Sequence, residues 1–368
     1  YSGKRYYPGN IYYDEIEEIA KFRALKVFGL SKDDWSVNVQ PYSGSPANFE
    51  IYSALLLPGE KFMGMALNSG GHLTHGHRVS HTGKFWKPIH YKTSENGWIN
   101  YDEIEELAKK EKPKLIVSGF TAYSRQVNFK RFREIADKIE AYHLADISHI
   151  AGLVATGLHP SPFSYADIVM TTTHKTLRGP RGAIIFSNRK SKIGKKYGIE
   201  LGDAIDKSVF PGLQGGPHNN VTAGMAVAFF EALKPSFKKY QKQIIKNAKC
   251  LATELTKIGF HLVSGGTDTH LMLIDLPKSK LISNNGTAVI LSGLEAEKIL
   301  ELAGIIANRN TVPGDESPFK PSGLRLGVPA VTTRGMKEKE MKKIAHLIYD
   351  CLSGVKNSII KKEVSNLV

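Results

Sequence analysis

Ile168-Val-Met-Thr-Thr-Thr-His-Lys175-Thr-Leu-Arg-Gly-Pro-Arg-Gly182-Ala-Ile-Ile-Phe186 is the stretch on which the fold turns. Two apolar runs, 168–172 and 183–186, flank a polar loop containing Gly179, Pro180 and Gly182. Runs this short, bounded by Gly and Pro, predict strands without a solvent face. A third run, 142–146, lies just upstream. Helical periodicity alternates with such runs toward the N-terminus. Ile16, Ile19, Ala20, Ala24, Val27 and Phe28 put an amphipathic helix over 12–29. Then follow a strand at 35–39, a helix at 48–57, a strand at 61–65, a helix at 101–110, a strand at 114–117 and a helix at 128–140. Strands apolar on both faces and alternating with helices predict an α/β fold, a mostly parallel sheet covered by helices.

Further along, the texture changes. A long helical stretch spans 221–258, followed by strands at 260–263, 271–276 and 324–327 and helices at 296–303 and 337–352. This is an α+β pattern with antiparallel potential. With 368 residues, a two-domain chain is expected, residues 1–234 and 235–368.

Composition narrows the function classes. The chain is 41% hydrophobic and 23% charged, in the ordinary globular range. No window approaches the roughly 18 unbroken apolar residues of a membrane span. Two cysteines, Cys250 and Cys351, make no disulfide framework and suit a reducing cytoplasm. A net charge of +15 is spread over clusters at 189–196, 238–246 and 337–343, which read as solvated faces. With no basic arm and no aromatic-basic signature, nucleic acid is a weak candidate.

Chemistry concentrates at the strand ends. In open α/β sheets ligands bind beyond the carboxyl ends of the strands, where Asp146, His149 and Lys175 fall. A lysine after an apolar strand is oddly placed for a surface charge; partial desolvation lowers its pKa and frees the amine for Schiff-base chemistry. An aspartate ending a buried strand can hold a pyridinium nitrogen protonated if the ligand is pyridoxal phosphate, or can serve as a turn or cap residue. Pro41-Tyr-Ser43-Gly44-Ser45-Pro-Ala-Asn48 opens a helix with small polar residues, a phosphate cradle or an ordinary N-cap. Gly70-Gly-His72-Leu-Thr-His75-Gly-His77 matches no zinc spacing, so no metal is expected, and a histidine stacked on a flat ring is the better reading. Arg325, inside the apolar run Leu324 to Gly327, calls for an anionic partner such as a carboxylate.

Together and in this order, these motifs closely resemble the serine hydroxymethyltransferase family, within the aspartate-aminotransferase-like class of pyridoxal-phosphate (PLP) enzymes. The similarity runs from Gly3-Lys-Arg-Tyr-Tyr7 nearly to the C-terminus, and Thr171-Thr-Thr-His-Lys-Thr176 is highly specific to the family. The resemblance implies a large PLP-binding domain with a mostly parallel sheet and a smaller C-terminal α+β domain. It implies that Lys175 carries pyridoxal 5'-phosphate as a Schiff base, Asp146 pairs with the ring nitrogen and His72 stacks on the ring. His149 and Thr121 would bond its 3-oxygen side. Ser43, Gly44, Ser45, Thr172 and His174 would belong to the cofactor site, with Gly215 and Gly216 reaching the phosphate from the partner subunit. Arg325 would clamp the amino-acid carboxylate and Tyr7 would lie near the substrate. Leu67, Gly71, Leu73, Asn310, Ser317, Pro318 and Phe319 would contact folate.

The implied reaction interconverts serine plus tetrahydrofolate with glycine plus 5,10-methylenetetrahydrofolate, in a cytoplasmic homodimer (or tetramer) that shares its sites across the interface. The family's N-terminal arm, with a glutamate thought to handle the hydroxyl proton, would lie upstream of Tyr1. The chain as given is therefore expected to bind cofactor yet turn over poorly. Residues 193–200 are expected to form a surface loop. The rivals are a folate-independent enzyme of the same fold (threonine aldolase type), an inactive binding scaffold, and a basic RNA-binding protein.

Overall fold

The structure, a computed structural model, describes residues 2–283, 285–317 and 319–368. Among those residues the strands are β1 (Trp35–Asn38), β2 (Lys61–Met65), β3 (Lys87–Tyr91), β4 (Leu115–Gly119), β5 (Tyr142–Asp146), β6 (Ile168–Thr172), β7 (Ala183–Asn188), β8 (His261–Leu262), β9 (Leu271–Asp275), β10 (Asn308–Asn310) and β11 (Gly323–Gly327). The first seven form one sheet in the order β1-β7-β6-β5-β4-β2-β3, and the rest a second in the order β10-β11-β9-β8. In the large sheet only β7 runs against its neighbours. This is the mostly parallel α/β architecture that the apolar runs predict. Every residue of β4, β5 and β6 is buried, as a sheet covered on both faces requires.

The helices over it are α1 (Ile11–Val27), α2 (Gly44–Leu55), α3 (His81–Phe85), α4 (Tyr101–Glu111), α5 (Phe129–Lys138), α6 (Ala151–Ala155), α7 (Lys192–Lys196), α8 (Leu201–Lys207) and α9 (Asn219–Ala232). They seal two apolar clusters, one on each face. Phe132, Ile116, Val169 and Phe186 belong to one, and Tyr52, Phe62, Leu144 and Ile185 to the other. Beyond them α10 (Pro235–Lys257), α11 (Gly293–Leu302), α12 (Pro329–Thr333), α13 (Glu338–Leu352) and α14 (Asn357–Ser365) surround the antiparallel second sheet. Ile244, Leu255, Met272, Leu324 and Ile348 form that core. Among the described residues no helix is long and apolar enough to cross a membrane.

Several elements differ from the sequence reading. The helix expected over 221–258 is two helices, α9 and α10, because Pro235 has no N–H to continue the ladder and holds Lys234 extended at ψ 146°. The helix expected from 48 starts at Gly44, so Gly44 and Ser45 lie in its first turn. Expected strand 260–263 shrinks to two residues. Strand β3 escaped the reading: as a sheet edge with Pro88 and two lysyl or histidyl positions exposed, it lacks the apolar signature. Residues 193–200, expected as a loop, include most of α7, whose Ile193 is buried.

Candidate active site

Parallel neighbours β4, β5 and β6 end together, and their carboxyl ends floor a cleft of about 270 Å³. Its lining includes Gly44, His72, Thr121, Asp146, His149, Thr172 and Lys175, seven of the residues singled out in the sequence. Asn48, His75, Phe120, Ser148 and Met170 complete it.

Asp146, the last residue of β5, is 8% exposed and surrounded by donors. Ser148 donates through Oγ (2.6 Å) and backbone N–H (3.1 Å) to Oδ1. Asn48 Nδ2 (3.1 Å) and His75 Nε2 (3.2 Å) donate to Oδ2. The tautomer of His75 follows from its other nitrogen, since Nδ1 accepts the backbone N–H of His72 at 3.2 Å and the proton must sit on Nε2. Burial raises the pKa of Asp146, but the hydrogen bonds from His75 and the Ser148 hydroxyl outweigh it and hold the carboxyl well below its ordinary value. Asp146 is a permanent buried anion.

His72 is oriented by Thr74, whose hydroxyl and backbone N–H both meet its Nδ1, at 2.7 and 3.2 Å. Asn48 Nδ2 in turn donates to Thr74 Oγ1 at 2.8 Å. Burial, with the charges of His75 and Lys175 adding to it, lowers the His72 pKa to about 4. A neutral, fixed imidazole over the cleft can lie against a flat ring without carrying charge there.

Lys175 follows β6 by three residues. Desolvation lowers its pKa; Asp146 opposes that, and Arg325 and Arg181 reinforce it. Such an amine is closer to its nucleophilic free-base form than a surface lysine. Burial and the charge of Lys175 also push His149 well below its ordinary value, and its ring stacks on His270 at 5.8 Å and 23°.

The residues fit a phosphate-bearing aldehyde. The buried Thr172 hydroxyl has no partner among the described residues. Arg181 donates to His174 Nε2 at 3.3 Å, which leaves the His174 proton on Nδ1, also buried and without a partner. At the first turn of α2 a Cβ on Gly44 would lie 2.7 Å from Thr172 Cγ2. Glycine there lets Thr172 pack against the turn, whose backbone N–H groups are suited to an anion.

Arg325, on an interior strand of the second sheet, does not line the cleft itself but bonds Thr121, which does. Its Nη1 donates to the Thr121 carbonyl at 2.8 Å and its Nη2 to Asn308 Oδ1 at 3.0 Å. Thr121 Oγ1 donates to the Gly71 carbonyl at 2.9 Å, which ties the 67–75 loop to this seam. Ser43 is the N-cap of α2 and Ser45 follows Gly44 in its first turn; neither lines the cleft.

Other sequence candidates lie outside the cleft. Tyr7 is 75% exposed and packs edge-on against Tyr6. Gly215 and Gly216 have open space where a Cβ would be, and the Gly216 carbonyl accepts from Tyr42 OH at 2.8 Å. Leu67 is half-buried, and Leu73 and Phe319 are exposed, Phe319 to 74%. Asn310 donates to the Thr311 carbonyl at 2.8 Å, and Ser317 Oγ accepts the Phe319 N–H at 3.2 Å. Pro318 lies outside the described residues. The sequence reading gave no role to Asn48, His75, Ser148 or His270. His75 stands three positions after His72 and Asn48 four after Gly44, but nothing local says that both face Asp146.

Comparison with known proteins agrees with the geometry. The family model described as serine hydroxymethyltransferase matches residues 1–348. The serine hydroxymethyltransferase of Crocosphaera subtropica is 51% identical over 367 residues, 99% of this chain and 81% of that protein. That of Nostoc sp. is 52% identical over 352 residues, 95% of this chain and 77% of that protein. A more distant counterpart in Francisella tularensis subsp. novicida is 47% identical over 366 residues, 99% and 82% of the two chains.

Proposed function

The chain belongs to the serine hydroxymethyltransferase family, and from that premise we propose that its cleft holds pyridoxal phosphate on Lys175. Its reaction is the reversible conversion of serine and tetrahydrofolate to glycine and 5,10-methylenetetrahydrofolate. The observation that carries the site reading is a desolvated amine and a four-donor carboxylate facing one cleft.

When bound, the cofactor supplies an electron sink for the pair released as the Cα–Cβ bond of serine breaks. The chain's residues do the rest. Lys175 would hold the cofactor through Nζ, an amine that can also take up or return a proton. Asp146, kept anionic by Ser148, Asn48 and His75, holds a proton on the pyridinium nitrogen. His72 packs its neutral ring on one face. The first turn of α2, Thr172 and His174 bind the phosphate, and His149 and Thr121 serve the 3-oxygen side. Arg325 binds the substrate carboxylate as a bidentate fork. Leu67, Gly71, Leu73, Asn310 and residues 317–319 form the folate side of the entrance.

The site is shared between two copies. Tyr7, Gly215 and Gly216 are exposed beyond their own cleft and serve the partner's. On α1, Ile11, Tyr12 and Phe22 are 71%, 77% and 64% exposed, and on the adjoining α9 Val227 is 57% exposed, an apolar face suited to a second copy. The two units, 1–234 and 235–368, then contribute the cofactor floor and the carboxylate clamp respectively.

Borohydride reduction of the cofactor-loaded protein followed by peptide mapping tests the reading. The label is expected on Lys175, and Asp146→Asn is expected to lower kcat by roughly 100-fold or more. A label elsewhere, or none, refutes it.

A further inference from the structure

Lys175 follows a strand of the large sheet and Arg325 lies on a strand of the second, yet one reaction needs them at a fixed separation. Helix α10 touches the backbone on both sides. Gln241, fully buried, donates through Nε2 to the carbonyl of Thr176, the residue after Lys175, at 2.8 Å. Thr176 is held at its hydroxyl too, donating to the His149 carbonyl at 2.9 Å and accepting the Gly152 N–H at 3.0 Å. The fit is tight: a Cβ on Gly152 would strike Thr176 O, and would lie 2.5 Å from Gln241 Nε2.

The neighbouring residue, Tyr240, faces the seam and packs against both cores. Its OH donates to the Pro329 carbonyl at 3.2 Å and accepts from Thr333 Oγ1 at 3.0 Å. Both partners belong to α12, which begins at Pro329, four residues beyond Arg325. On its other side the Tyr240 ring lies 4.9 Å beneath the guanidinium of Arg178, three residues after Lys175. Arg178 has φ +63°, an uncommon conformation for a non-glycine residue, and the ring contact favours that placement. About two turns further along, Asn247 Nδ2 bonds Thr332 Oγ1 at 2.8 Å and the Met336 carbonyl at 2.9 Å.

We propose that Tyr240 and Gln241 are positioning residues that set Arg325 relative to Lys175. Gln241 holds the peptide that follows the amine, and Tyr240 ties the turn after the carboxylate clamp to the lysine loop. The inference rests on the reading of Lys175 and Arg325 given above. Because the two residues act on opposite ends, their removal separates kinetically.

Tyr240→Phe keeps the ring beneath Arg178 and loses only the tie to α12. It is expected to raise the dissociation constant for serine, measured by calorimetry on the cofactor-loaded protein, roughly three- to tenfold, the scale of one lost hydrogen bond. kcat, the cofactor affinity titrated on the apo-protein and the melting temperature should stay near wild type. Gln241→Met keeps the volume and leaves the Thr176 carbonyl without its donor. It is expected to lower kcat roughly three- to tenfold while serine affinity changes less than about twofold.

Wild-type serine affinity in Tyr240→Phe overturns the proposal. So does a pattern in which both variants shift serine affinity, cofactor affinity and melting temperature together, the signature of general loosening. Arg325→Lys serves as the control. If it binds serine normally, the clamp reading itself fails and the coupling falls with it. If it loses serine while Tyr240→Phe does not, only the coupling is refuted.

Discussion

Glu50 lies on α2, fully buried, and neither carboxylate oxygen has a hydrogen-bond partner among the described residues. Burial alone pushes its pKa from 4.5 to about 8. An unfolded chain ionises this group above pH 4.5 and the folded chain does not until about pH 8. Stability is therefore full below pH 4.5 and is lost as pH rises through that window. Glu50→Met, which removes the proton equilibrium at similar volume, is expected to stabilise the protein at pH 8 by at most about 5 kcal/mol and to change little at pH 4. Urea denaturation at the two pH values checks this; equal gains at both would assign the effect to packing. The sequence showed Glu50 only as a residue of the helix expected over 48–57. Its burial is set by what lies against α2, including Ser208, whose hydroxyl bonds the Glu50 carbonyl at 2.7 Å.

At the scale of elements, the pairing of β4 with β5 puts Gly119 opposite Asp146. A Cβ there would come within 2.6 Å of Asp146 Cβ and 3.1 Å of His75 Cε1. Gly119→Ala is expected to cost about 1–3 kcal/mol of stability through overpacking and to weaken cofactor binding at least about tenfold. Denaturant midpoints and a fluorescence titration of the apo-protein measure the two. Cofactor affinity unchanged at lowered stability would separate the glycine from the carboxylate's placement. Strands such as β5 and β6 were legible because burial on both faces demands unbroken apolar runs. Strand β3 was not, because an edge makes no such demand, and the break at Pro235 was overlooked within an otherwise continuous helical pattern.

Across the whole molecule, buried imidazoles set the response to acid. Burial pushes His72, His143 and His159 to about 4 and His270 to about 3, against an ordinary 6.5. Below pH 6.5 the unfolded chain takes up protons that these groups refuse, so stability present above 6.5 is lost as pH falls through about 4. Each contributes a slope of at most about 1.4 kcal/mol per pH unit. Glu50 acts in the opposite direction over part of that window, so the slope is read in Glu50→Met. There, His159→Gln is expected to flatten the loss between pH 6.5 and 4 by about one group's share, followed by urea unfolding at stepped pH. An unchanged slope would remove His159 from the set.

The amino-acid order determined where most strands of the large sheet lie, that Asp146, His149 and Lys175 stand at or just beyond strand ends, and which family the chain resembles. These are local properties, carried by apolar runs, glycines and short motifs. Only the tertiary structure decided what surrounds Asp146. Asn48 and His75 reach it from 98 and 71 residues away, and the guanidinium of Arg325 bonds a carbonyl 204 residues distant. Periodicity along a chain carries no record of such meetings; they are fixed by sheet register and by helices packed between two cores.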